Sequence, residues 1–303
     1  MQTKLPSTLA ATLALLSLAQ IANAYDWEAD FIFADADSSS DPVFGASLSY
    51  YLAPITHGST TPWSEIPFTE RVSELSASVL YSDQEYPYGY ESEIQMYGLG
   101  YKHRDPDSPH TFSLALGYQT DEISFPRLTY GYPNGTPRQE IERFDLKSYN
   151  YGIGYSYYLQ DAWTIGSALT LDESSQADQY SVKASTKRIW DLGNQRWFGL
   201  RASVAHNTLK RVNFQEDNLT FGLQGSYYLS PRTELSAEVN FPDDGKPRNV
   251  RLSAQHFLTD STFVAIAYSH TELAFERTSI GPNGQIESDG DSSNVQAKLG
   301  LRF

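Results

Sequence analysis

Ser293-Asn294-Val295-Gln296-Ala297-Lys298-Leu299-Gly300-Leu301-Arg302-Phe303 closes the chain. Val295, Ala297, Leu299, Leu301 and Phe303 take every second position, with Gln296, Lys298, Gly300 and Arg302 between them. Successive Cβ atoms of a strand point to opposite faces, so this period of two predicts a β-strand with one apolar face and one polar or glycine face. Such a strand belongs between an apolar medium and a wet one.

The same alternation recurs upstream and predicts fourteen strands in all. Trp27, Ala29, Phe31 and Phe33 mark the first, and Tyr149, Tyr151, Ile153, Tyr155 and Tyr157 the sixth. Leu219, Phe221, Leu223, Tyr227 and Leu229 mark the tenth. Each segment is near the roughly 9 to 11 residues that a tilted membrane-crossing strand needs. Connections alternate between tight turns (Gln160-Asp161-Ala162, Ser230-Pro231-Arg232, Thr259-Asp260-Ser261) and longer acidic links. Short turns on one side and long loops on the other are the pattern of an antiparallel up-and-down transmembrane barrel. The fold class expected is therefore all-β, a barrel of about 14 strands. Sixteen is the alternative if Phe125 to Tyr130 and Ile141 to Lys147 are further strands; either number is even, as two termini on one side require.

Composition agrees. The 303 residues hold 21 Tyr, 15 Phe and 5 Trp against 2 Met, a bias towards strand formers. Mean hydropathy is −0.45, and after residue 24 no apolar run approaches the roughly 18 residues of a spanning helix. Residues 1–24 carry Lys4, an apolar run from Leu9 to Ala19, and Ala22-Asn23-Ala24. That order predicts a secretory signal peptide cleaved after Ala24 and a barrel domain over 25–303. There is no Cys, so thiolate metal sites and thiol redox chemistry are excluded.

Two resemblances follow from these residues. The terminal strand, with Leu299, Leu301 and Phe303 on its apolar face, resembles the assembly signal of bacterial outer-membrane β-barrels, which implies recognition by a barrel assembly machinery. Tyr50-Tyr51-Leu52-Ala53-Pro54, followed by Pro62, Glu65 and Phe68, resembles the Tyr-Tyr-Phe-Ala-Pro and Pro-Leu-Ala-Glu-Ala-Ala-Phe signature of a family of proteobacterial outer-membrane porins, departing from it at Trp63, Ser64, Ile66 and Pro67. The resemblance implies a channel in the outer membrane of a Gram-negative bacterium. The segment from Ala53 to Arg71, on the expected periplasmic side, is long where a short turn is expected, and its role stays open.

If the apolar residues face lipid, their alternates face the lumen. The expected pore-lining set is Glu28, Asp30, Glu74, Lys102, Lys183, Arg201, Glu234, Glu238, Arg251 and Lys298, joined by Lys187 and Arg302. Charges kept off the lipid face indicate a wet interior, and separated acidic and basic walls would give a transverse field and weak ion selectivity. The longest connection, Asp121 to Ser148, is expected to be an extracellular loop. By analogy with general porins it is the candidate constriction, with Arg127, Arg138, Glu140, Glu142 and Arg143; the alternative is an external flap, or the two further strands named above. Leu48-Ser49-Tyr50-Tyr51-Leu52 has three counterparts, at 155–159, 225–229 and 254–258, all at strand ends before an expected periplasmic turn, which predicts an aromatic interface girdle.

The expected partners are outer-membrane lipid and lipopolysaccharide, the assembly machinery and small hydrophilic solutes. A homo-oligomer stays open, since no protomer-interface pattern is readable. The net charge of −15 concentrates in outer loops and disfavours nucleic acid. No catalytic, cofactor-binding or metal-ligating residues are expected: the six His show no recognisable catalytic or ligand spacing. The function expected is passive diffusion of small hydrophilic solutes or ions. The alternative is a non-conducting surface barrel whose acidic loops bind a ligand, lipopolysaccharide or a host surface.

Overall fold

The structure is a computed structural model that describes residues 24–303 except 37–41, 57–59, 87–89, 131–136, 175–176, 212–213, 244–248, 273–278, 281–285 and 288–290. Fourteen strands form one closed antiparallel barrel in which every strand pairs with its neighbours in sequence. They are β1 (Ala24–Ala36), β2 (Val43–Thr56), β3 (Glu74–Tyr86), β4 (Tyr90–Arg104), β5 (His110–Tyr130), β6 (Pro137–Gln160) and β7 (Trp163–Ser174). The second half comprises β8 (Asp178–Gly193), β9 (Arg196–Arg211), β10 (Phe214–Ser230), β11 (Thr233–Pro242), β12 (Asn249–Phe257), β13 (Thr262–Glu272) and β14 (Asp291–Arg302). A separate two-residue ladder joins Ser279–Ile280 to Ile286–Glu287. The expected signal peptide lies outside the described residues, apart from Ala24, as do the loop acids Asp37, Asp41, Asp244 and Asp289.

The terminal stretch closes the barrel. Its residues pair with β1 from Glu28↔Arg302 to Ala36↔Asn294 and with β13 from Thr262↔Leu301 to Glu272↔Asp291. Phe303 extends the seam: its N–H donates to the Trp27 carbonyl at 3.0 Å and its carbonyl accepts from Trp27 N–H at 2.9 Å. Within the ring itself, among the described residues, each strand has a partner on both sides, which closure alone achieves. Along the seam one close approach demands glycine. A Cβ on Gly300 would lie 2.0 Å from ring atoms of Phe263, its cross-strand neighbour.

The outer face carries the apolar half of the alternation. Leu99, Leu114, Leu116, Ile153 and Ile266 are each more than half exposed, a surface that only an apolar solvent suits. These apolar residues thus mark the barrel's exterior and not a core.

Two expectations are corrected. Of the Asp121–Ser148 segment, the described residues 121–130 and 137–148 are not an irregular loop and add no strands fifteen and sixteen, being continuations of β5 and β6. β5 and β6 are 21 and 24 residues long and pair without register break from His110↔Tyr157 to Tyr130↔Pro137. Residues 120–125 and 141–148 hold Ile123, Phe125, Ile141 and Phe144, all strand formers, and extending the ladder pairs backbone N–H and C=O groups that a free loop would leave to water. Beyond Ser124 and Ser148 the two strands have lost their other neighbours and pair only with each other.

The second correction concerns the doubled aromatics. Tyr51, Tyr158, Tyr228 and Phe257 are 5, 4, 1 and 2 % exposed, on the lumenal side, while the residue before each shares the outward parity of Leu52, Leu159, Leu229 and Leu258. Adjacent residues of a strand cannot both face lipid. One of each pair therefore belongs to the outer face and its partner to a socket inside the barrel mouth.

Candidate functional site in the barrel lumen

What fills that socket is the long link between β2 and β3. Pro62 breaks the extended chain, and Trp63–Glu65 form a 3-10 turn leading into a helical turn, Ile66–Thr69, with Pro67 in its first turn. Proline suits the first positions of a helix, where an N–H is unpaired anyway. Trp63, Ile66 and Val72 join Tyr25, Tyr51, Ile55, Phe257 and Phe263 in one buried apolar cluster. This small core lies at the end of the barrel where both chain termini are.

Polar groups fix the turn across the whole mouth. Ser64 Oγ donates to Glu234 Oε2 at 2.8 Å. The Glu65 carboxylate accepts from Tyr228 OH at 2.7 Å and forms an ion pair with Lys187. Tyr158 OH donates to the Phe68 carbonyl at 2.8 Å, and the Lys187 ammonium lies 4.5 Å from the Phe68 ring centroid. Arg104 donates to the carbonyls of Pro67 and Val72, both at 3.1 Å. At the rim Trp63 N–H donates to the Pro231 carbonyl at 2.9 Å, and Arg71 pairs with Asp161 at 2.9 Å. The turn thus reaches β4, β6, β8, β10 and β11. Partial desolvation raises the Glu70 carboxyl above its ordinary pKa at the end of the turn.

Arg302 ties the turn to the seam. It is 3 % exposed, donates from Nε to Glu28 at 2.7 Å and from a terminal nitrogen to the Trp63 carbonyl at 3.3 Å. Its guanidinium stacks 4.4 Å from the Phe257 ring and 4.6 Å from that of Tyr25. A buried charge is tolerable only when paired and hydrogen-bonded in this way.

Above the turn the lumen is polar. One cavity of about 440 Å³ is lined by Arg201, Glu234, Glu238, Arg251 and Lys298 among others; another, of about 270 Å³, includes Lys102 and Lys183. Around β1 acidic and basic residues do not form separated walls. Acidic β1 lies beside basic β14, and their charges pair: Asp30 with Lys298 at 2.8 Å, Glu28 with Arg302 at 2.7 Å. Glu74 lies 3.8 Å from Lys102 on β4, and Glu238 sits across the ladder from Arg251.

The hairpin candidates are placed elsewhere. Arg143 makes an exposed pair with Glu122 at 3.4 Å. Arg127, Arg138 and Glu140 ride on the paired backbone of β5 and β6 with Glu142 and Arg143, and the last two line neither cavity. The residues that close the mouth, Trp63, Glu65 and Tyr228, were not singled out as lumenal. Their signal is present, in the Pro62…Glu65…Phe68 motif and in aromatic doublets that one lipid-facing row cannot accommodate.

The overall fold is shared with solved structures. The structure of the outer membrane protein Omp33 of Acinetobacter baumannii superposes with a TM-score of 0.59 at 15% identity, over 93% of this chain and 99% of that one. The fold is that of a bacterial outer-membrane β-barrel. The toluene transporter TbuX of Ralstonia pickettii superposes on this outer-membrane barrel with a TM-score of 0.53 at 8% identity, covering 93% of this chain and 90% of TbuX. No family model matches the chain, and no curated protein matches it significantly in sequence. At these identities the likeness is one of fold.

Proposed function

We propose that this barrel is an outer-membrane channel for passive diffusion of small hydrophilic solutes or ions, with its narrowest point at the terminal mouth. The observation that carries the reading is a charged, cavity-containing lumen narrowed at one end by a turn that hydrogen bonds and ion pairs to the barrel wall hold in place. A barrel of fourteen strands has more room than an eight-stranded one, whose interior the side chains nearly fill. Pore radius and lining chemistry then set what passes. In this reading the apolar belt meets membrane lipid and lipopolysaccharide, the terminal-strand residues Leu299, Leu301 and Phe303 engage the assembly machinery, and the mouth with both termini faces the periplasm. Names such as toluene transporter describe neighbours whose cargo is apolar; the charged lumen here favours hydrophilic cargo.

The test is single-channel recording of refolded Tyr25–Phe303 in a planar bilayer, beside a Trp63→Ala/Glu65→Ala variant that unseats the turn. Discrete steps, raised at least about twofold in the variant, are expected because the narrowest section dominates resistance. Insertion without steps in both proteins overturns the channel reading.

A further inference from the structure

The smaller cavity has a composition unlike the rest of the lumen. Along the arc from β4 to β9 it is lined by Lys102, Arg104, Lys183, Lys187 and Arg201, with hydroxyls that include Ser113 and Ser185, and its lining contains no Asp or Glu. Two of these cations are matched nearby, Lys102 by Glu74 and Lys187 by Glu65, and Arg104 is held by neutral carbonyls. Among the described residues neither Lys183 nor Arg201 has a carboxylate in ion-pair distance, and both are exposed to the lumen. Arg201 also borders the larger cavity, where Glu234 and Glu238 contribute.

The register sharpens the point. Lys187 and Arg201 are direct cross-strand partners, and Lys183 lies on the same face four residues earlier on β8. Like charges directly opposed across a ladder are destabilising. Elsewhere in the lumen basic strands are set against acidic ones, as at β1 and β14. Here β7 offers Ala168 and Thr164 opposite the two lysines, and β10 offers Gln224 opposite Arg201. The positive charge is therefore left for something that is not part of the chain.

We propose that this arc is an oxyanion-binding station, which selects solutes bearing carboxylate, sulfate or phosphate groups as they pass above the inward turn. Lysine and arginine supply charge and donors, and the serine hydroxyls complete the hydrogen bonding of a partly dehydrated anion. Passage as such rests on the channel reading, whereas anion capture by the lumen does not.

The experiment therefore has two readouts. In bilayers, reversal potentials under a potassium chloride gradient should show chloride preferred, by about threefold from an unopposed charge in the lumen, and millimolar citrate or phosphate should reduce the chloride current. Calorimetric titration of citrate or phosphate into the detergent-solubilised protein should give saturable heat. Lys183→Gln/Arg201→Gln should bring the permeability ratio to near unity and abolish the heat. Should that pair not refold, Lys183→Gln alone, beside Ala168 and Ala205, should lower both. Absence of any current with saturable heat would overturn the channel and keep the station. Cation preference in the native pore, or preference and heat unchanged in a folded variant, overturns the station and leaves the channel standing.

Discussion

Two long connections of this barrel meet opposite fates. The β5–β6 connection prolongs its own ladder beyond the points where the neighbouring strands end, whereas the β2–β3 connection turns inward and packs in the mouth. Length does not distinguish them; chemistry does. Alternating residues such as Ile141, Arg143 and Asp145 on one side of the hairpin can go on pairing, so each added residue satisfies its own backbone. Pro62 and Pro67 begin the two short helical turns that end the extended chain of the other segment, and Trp63, Ile66 and Val72 find apolar area to bury inside the barrel.

The contrast can be broken most forcefully by excision. Replacing residues 60–70 with a short Gly-Ser link should raise single-channel conductance about threefold, while replacing 126–141 with a two-residue turn should leave it nearly unchanged. A rise from the second excision would return the constriction to the hairpin. Glu65→Gln leaves the Lys187 ammonium half-buried without its counter-charge and weakens the Tyr228 hydrogen bond. Loss of about 3 kcal/mol in urea unfolding of the detergent-folded barrel is expected.

Gly300→Ala drives a methyl group into the Phe263 ring, which is 1 % exposed. Overpacking of this kind costs about 2 kcal/mol, and the fraction of heat-modifiable folded barrel on a gel should fall. Smallest is Glu122→Gln in the hairpin. Its pair with Arg143 lies on an open surface, so the urea midpoint should shift by less than about 0.5 kcal/mol equivalent. A shift as large as that of Glu65→Gln would mean that the hairpin packs against something.

Alternation made most of this fold legible. Strand number, antiparallel order and the terminal strand all follow from a period of two, because one solvent boundary acts on every strand alike. The inward turn was not legible by that route. Ser64 and Glu65 belong to a segment with no period, and their partners Glu234, Tyr228 and Lys187 lie more than a hundred residues away. Pairing of charges was hidden for a related reason: parity places Asp30 and Lys298 on one face, but only the seam between β1 and β14 makes them neighbours. The doublet Tyr50-Tyr51 carried the missing information, since a strand that obeys alternation has to send one of the two rings inside.

Closure between residues at opposite ends of the chain has a kinetic meaning. Glu28 meets Arg302, so the last strand must be made before the first can finish its pairing. A partly emerged chain presents two unsatisfied edges, and such long-range contacts are slow to form. The inward turn is bound by the same schedule, because its anchors on β8, β10 and β11 follow it in the chain. The mouth can close only after the wall around it is nearly complete, so the ring is built first and its stopper seated last.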